Sequence, residues 1–142
     1  MNDKEKKGMI LNFIKKHTLA VLATTAPNGK PEASVIEFSE RDNFELIFDT
    51  FSTFRKYKNL KRNASVAVVI GWDDNITVQY EGVVEELSGK ELQECVKVHI
   101  AKCPDTKKFV NQKNIKFFKI IPKWIRYSDL NVDPWKVFEV NF

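Results

Sequence analysis

A small, closed, mainly antiparallel β-barrel flanked by helices is the fold class that this 142-residue sequence predicts. Three observations carry that prediction. About seven strand-like runs follow one another in up-and-down order, joined by short stretches of turn-forming residues. Helical patterns occur at the start, after the third strand and late in the chain, too rarely to alternate with strands as βαβ units do. Gly82 interrupts the longest alternating run, as a bulge or bend that closes a barrel would. Hairpins of this length in so short a chain favour closure over an open, doubly wound sheet.

Taken in order, Asp3–His17 sets Met9, Ile10, Phe13 and Ile14 on one stripe among lysines, the pattern of an amphipathic helix. Leu19–Thr25 (LAVLATT) is nearly all apolar and reads as a strand buried on both faces. The turn formers of Ala26–Pro31 join it to Glu32–Ser39, whose period of two sets Ser34, Ile36 and Phe38 against Ala33, Val35 and Glu37. A second turn, Glu40–Asn43, leads into the strand Phe44–Asp49. Ser52 is the expected N-cap of a helix reaching about Asn63, with Phe54, Tyr57 and Leu60 on its buried side. Ala64–Trp72 is another buried strand, Asp73–Asn75 a tight turn, and Ile76–Glu86 an alternating strand. Ser88–Glu91 has capping-box spacing and opens a helix lasting to about Lys102. Pro104 and Asp105 restart a shorter one that reaches Gln112. Ile115–Ile121, Lys123–Asp129 and Trp135–Phe142 are aromatic-rich runs separated by Pro122 and by Asn131–Pro134. No repeat or low-complexity linker divides the chain, so residues 1–142 read as one domain.

Apolar residues make up 43% of the chain and charged ones 30%, a globular rather than disordered balance. No apolar run approaches the roughly 20 residues that cross a bilayer, and Met1–Lys7 has no leader-like apolar segment, so a cytoplasmic protein is expected. The formal charge of +4 is scattered, interleaved with acids and unaccompanied by a nucleic-acid motif, which argues against a nucleic-acid partner. Cys95 and Cys103 would lie about 12 Å apart along one helix, too far for a disulfide. With no CxxC pair and only the isolated His17 and His99, no metal site is indicated. Each histidine reads as a packing or surface residue. No glycine-rich phosphate loop is present, so a phosphate site would have to be built another way.

The stretch Phe44–Arg62 (FELIFDTFSTFRKYKNLKR) offers such a way. Arg55 and Lys56 stand near the start of its helix, where cations oppose the helix dipole at a cost of roughly 0.3–1 kcal/mol each. An anion held there would reverse the sign of that term, because free amides and two cations would converge on it. A solvated basic helix face accounts for the same residues, and both readings stand at this point.

The order and spacing of LAVLATTAPNGKPEAS, FDTFSTFRKYKNLKRN and KWIRYSDL resemble the pyridoxamine 5'-phosphate oxidase-like family of FMN-binding split barrels, over about Leu19–Tyr127. The resemblance implies a six-stranded antiparallel split β-barrel, paired as a homodimer, with two flavins in grooves between the subunits. It implies that Asp49 and Thr50 contact the ribityl chain and phosphate, that Arg55 and Lys56 neutralise the phosphate, and that Ser34, Val35 and Ile36 run along the isoalloxazine edge. Thr77 falls where oxidase-type members have a flavin-contacting glutamine, and Trp124 resembles a groove-lining residue of the late strand. The activity implied is an FMN-dependent oxidoreductase, reduced by a nicotinamide or other donor and passing electrons to a small molecule. The alternative is a barrel that carries or senses a flavin, deazaflavin or haem without turnover. Two departures argue against pyridoxamine phosphate itself as substrate: Ser34 stands where the oxidases carry an Arg, and Asn131–Phe142 lacks their C-terminal basic residues.

Overall fold

In the computed structural model, which describes all 142 residues, six strands close into a ring. They are β1 (Leu19–Thr25), β2 (Pro31–Glu40), β3 (Leu46–Phe51), β4 (Ser65–Ile70), β5 (Ile76–Glu86) and β6 (Ile115–Asp129). The ring order is β1-β2-β3-β6-β5-β4, every neighbour antiparallel. A seventh strand, β7 (Lys136–Asn141), pairs with the second half of β6 outside the ring. Helices α1 (Asp3–Lys15), α2 (Arg55–Arg62) and α3 (Gly89–Lys102) pack around it, and a 3₁₀ turn at Pro104–Lys108 replaces the expected helix to Gln112.

The inward positions of the strands supply most of a core of 22 buried residues, with Phe48 stacked on Phe118 at 5.5 Å between centroids. The period-two reading of β2 and β5 holds: Ile36, Phe38, Val78 and Tyr80 point inward. Tyr80 is fully buried, and its hydroxyl donates to the Phe44 carbonyl at 2.8 Å, with the Ile120 carbonyl at 3.1 Å. Burial raises its pKa far above the usual phenol range, so it remains a donor at any working pH. Tyr80→Phe leaves buried carbonyls short of a partner and is expected to cost about 1–3 kcal/mol, measured by urea unfolding. An unchanged midpoint would show that the bond adds nothing.

Several expectations are corrected. β1 and β4 are buried on one face only: Val21, Ala23 and Val69 are half-exposed and Ala67 is exposed. Their apolar outward residues lie on a barrel wall that no helix covers. The last aromatic runs form two strands rather than three, because β6 continues straight through Pro122. Proline lacks the ladder donor, and it is tolerated here because a register shift between Glu81 and Gly82 sets Gly82 opposite it. Strand β3 begins two residues later than predicted, with Phe44 left in the turn at φ 73°. Ser88 occupies the N-cap of α3, but its side chain makes no capping bond.

α3 lies outside the barrel, against Ile47 and Phe117, and Cys95 joins that second apolar cluster. Both cysteines are free and buried. His99 is wholly buried: the Ser39 hydroxyl lies 2.7 Å from its Nδ1, and Nε2 is 3.5 Å from an Asp49 carboxylate oxygen. Ser39 is itself fully buried, so this Ser–His–Asp set cannot present a nucleophile; the Ser39 bond ties α3 to β2, and Nε2 has no hydrogen-bond partner. The Lys102 ammonium pairs with Glu40, lies over the Phe38 ring, and fixes the far end of the same helix.

Candidate functional site

The β1–β2 register sets Thr24 directly across from Glu32, and Ala23 from Ala33, at the mouth of the barrel. α2 packs over that mouth. Its buried Asn59 donates through Nδ2 to the Thr24 hydroxyl at 3.0 Å and to Glu32 Oε1 at 2.8 Å. Those two bonds fix where the helix begins, and a groove of about 380 Å³ opens between its first turn and β2. Thr24, Glu32 and Ser34 line the strand side; Thr53, Phe54, Arg55 and Lys56 line the helix side.

The helix start differs from the sequence reading in an informative way. Phe54, not Ser52, is the N-cap residue, and it has no side-chain oxygen with which to cap. The backbone amides of Arg55 and Lys56 therefore have no backbone acceptor and no cap. Phe54 is half-exposed rather than on the buried side; its ring meets Phe51 edge-on at 5.4 Å and lies 5.5 Å from the Lys56 ammonium. Lys56 is partly buried and has no carboxylate within ion-pairing distance. Desolvation holds its pKa below the usual lysine range, offset in part by the charge of Asp49. Arg55 is different: its guanidinium is 73% exposed and pairs with Glu32 Oε2 at 3.2 Å, while Glu32 itself is only 16% exposed.

Of the residues singled out from the sequence, Ser34, Arg55 and Lys56 come together in this groove. Val35, the next residue on β2, faces outward and is 59% exposed, whereas Ile36 is buried in the core. Asp49 does not line the groove: its carboxylate lies 3.5 Å from His99 Nε2 under α3, yet its charge still acts on Lys56. Thr50 is buried, and its hydroxyl has no hydrogen-bond partner. Thr77 lies at the other end of β5, its hydroxyl 3.5 Å from the Ile70 carbonyl. Trp124 sits on the outer barrel wall, with its indole N–H donating to Glu139 at 2.8 Å. The structure thus places Thr77 and Trp124 apart from the helix-start groove, because strand alternation and register send their side chains elsewhere, and leaves Asp49 beside it without lining it. The sequence reading missed Thr24, Glu32 and Asn59. The hairpin register around Ala26–Lys30 could have paired the first two.

Beside the groove runs an apolar band that explains the uniform hydrophobicity of β1 and β4. Cross-strand pairing aligns Val35, Val21 and Val69 in one row, and Ala33, Ala23 and Ala67 in the next. The second row continues through Glu81 to Trp124. No element of the chain packs on these rows. A shallower groove of about 420 Å³ flanks them, between Thr25 and Lys123. No helix of the chain is long and apolar enough to cross a membrane.

Comparison with known proteins adds to this geometry. The family model for pyridoxamine 5'-phosphate oxidase matches residues 7–129. A pyridoxine/pyridoxamine 5'-phosphate oxidase of Ehrlichia ruminantium is 31% identical over 84 residues, covering 58% of this chain and 43% of that protein. The chain therefore spans less than half the length of that curated relative. Among solved structures, a heme binding protein from Mycobacterium smegmatis is similar with a TM-score of 0.82 at 15% identity, over 99% of this chain and 58% of that one. A pyridoxamine 5'-phosphate oxidase-related, FMN binding protein from Nostoc punctiforme is similar with a TM-score of 0.68 at 12% identity, over 100% of this chain and 97% of that one. At such identities the two structures speak for the fold alone.

Proposed function

The chain belongs to the pyridoxamine 5'-phosphate oxidase family, and on that basis we propose that it is an FMN-dependent oxidoreductase acting on a small molecule as a homodimer. The observation that carries this reading is Lys56: a partly desolvated ammonium with no carboxylate partner, beside two uncapped amides at the mouth of an open groove. Such a cation is stabilised by an incoming anion, and a phosphate monoester carries close to two negative charges to meet it.

The residues fit the phosphate end of FMN. The Lys56 ammonium, the Arg55 and Lys56 amides and the Thr53 hydroxyl are donors on the helix side, and the exposed Arg55 guanidinium can add its fork. Thr24 and Ser34 offer hydroxyls on the strand side, where the ribityl chain would lie. A bound flavin supplies the redox chemistry itself. The chain's own part is to orient and shield the group.

The homodimer rests on the uncovered rows of Val21, Val35, Val69, Ala23, Ala33 and Ala67. Flat, small and apolar, they match what a second copy of the same wall would bury. They adjoin the groove at Ala33, so a partner seated there would complete its open side. A nicotinamide is the proposed electron donor.

The test is to purify the protein, record its visible absorbance, and identify any released ligand by mass spectrometry. A flavin spectrum that a nicotinamide donor bleaches and a small acceptor restores is the expected result. A flavin that cannot be reduced and reoxidised in this way would make the protein a carrier or sensor. A Soret band would assign haem, and failure to bind added FMN would end the flavin reading.

A further inference from the structure

The groove contains an acid that a phosphate site does not need. Glu32 is almost enclosed, and both carboxylate oxygens are engaged, Oε1 by the Asn59 amide at 2.8 Å and Oε2 by Arg55 at 3.2 Å. Asn59 is buried and also holds Thr24, so it cannot follow a ligand outward. Glu32 is therefore anchored, whereas the Arg55 head is free in solvent on its other side. Two cations and one fixed carboxylate leave the groove with a formal charge of +1.

From this we infer that Glu32 is a specificity-determining residue, an internal counter-ion that occupies Arg55 until a ligand phosphate displaces it. The inference rests on the flavin reading only for the identity of the natural ligand; the competition applies to any phosphate. A phosphate drawing on Arg55 must give up part of the Glu32–Arg55 pair and sit near a fixed negative charge. Lys56, which has no carboxylate in ion-pairing contact, carries most of the attraction. The physical consequence is a phosphate ligand that exchanges readily instead of staying resident. A flavin bound here behaves as a substrate-like, dissociable group.

A double-mutant cycle tests it, with FMN, riboflavin and inorganic phosphate as probes, titrated against wild type, Glu32→Gln, Arg55→Ala and the double variant. Glu32→Gln is expected to tighten FMN and inorganic phosphate about tenfold, mainly by slowing release, and to leave riboflavin unchanged. In wild type, Arg55→Ala should weaken phosphate binding only about threefold, because the arginine is already neutralised. In the Glu32→Gln background the same change should cost about tenfold more than it does in wild type. Equal costs in both backgrounds, or looser binding on Glu32→Gln, would overturn the inference. If Glu32→Gln does not fold, the Arg55→Ala and Lys56→Ala variants decide alone: the lysine must cost more. Should FMN not bind while inorganic phosphate follows the expected pattern, the flavin reading fails and the role of Glu32 stands.

Discussion

Replacing Arg55 and Lys56 together by Ala is expected to weaken FMN binding by about 3 kcal/mol or more, roughly a hundredfold. Hydrogen bonds to charged groups contribute about 1.5–3 kcal/mol each. Arg55 falls below that range, at about the threefold expected above, because it is largely solvated and already shares Glu32. The upper end suits Lys56, whose ammonium has been partly stripped of water without gaining a carboxylate. Titration of flavin fluorescence against wild type and variant gives the number. The fold should be untouched, since Arg55 is exposed and Asn59, not either cation, fixes α2 to the barrel. Wild-type affinity in the double variant would remove the phosphate from this helix start. The lysine also sets a pH limit. Its pKa lies below the ordinary lysine value, so its contribution is present when it is protonated and fades as alkaline pH passes through that lowered value. Bound phosphate pushes the pKa back up, so the loss begins sooner in free protein than in the complex.

Gly82→Ala is expected to destabilise the barrel by about 3 kcal/mol, at the upper end of what overpacking costs. A Cβ at Gly82 would stand 2.4 Å from the Ile121 carbonyl oxygen and 2.9 Å from the Ile120 side chain. The first of these is backbone, held by strand pairing on either side, and cannot swing away. The glycine and Pro122 form one device: the register shift accommodates the missing N–H of the proline, and the bare Cα lets the two strands approach. Gly8→Ala is the control in the same urea series. Position 8 lies within α1 with nothing within 4 Å, so the change should stabilise by about 0.5–1 kcal/mol. If both variants melted alike, crowding at the bulge would not be a determinant of stability.

What could be read in the sequence was what local chemistry decides alone. Alternation placed the inward faces of β2 and β5, the apolar stripe of α1 gave buried Ile10 and Ile14, and Gly82 marked the bulge before any partner strand was known. The basic pair of α2 was visible because cations at a helix start run against the dipole. What stayed hidden depended on a partner far along the chain or outside it. Hydrophobicity cannot say whether Val21 and Val69 meet the chain's own core or await another molecule, so β1 and β4 looked buried on both sides. Ser52 has the chemistry of a cap, yet the helix has its N-cap position at Phe54, two residues later, with no side-chain cap. Pro122 has no donor, and only the opposing Gly82 shows why it does not end β6. Asp49 sits where the family resemblance puts a flavin contact, but its side chain reaches His99, which lies fifty residues later. Glu32 is one of many acids in the sequence until Asn59 and Arg55 are seen to hold it.

Ring closure joins Leu46 to Ile120, and Phe51 to Ile115. The β1–β2, β2–β3, β1–β4 and β4–β5 ladders all join strands that precede β6, and without β6 they make an open ribbon with the β3 edge that holds Leu46 and Phe48 unpaired. β6 pairs with β5 along one edge and β3 along the other, so closing the ring over the core requires that one strand. A chain ending before that strand would lack both closing ladders and expose the apolar inner face of an open half-barrel.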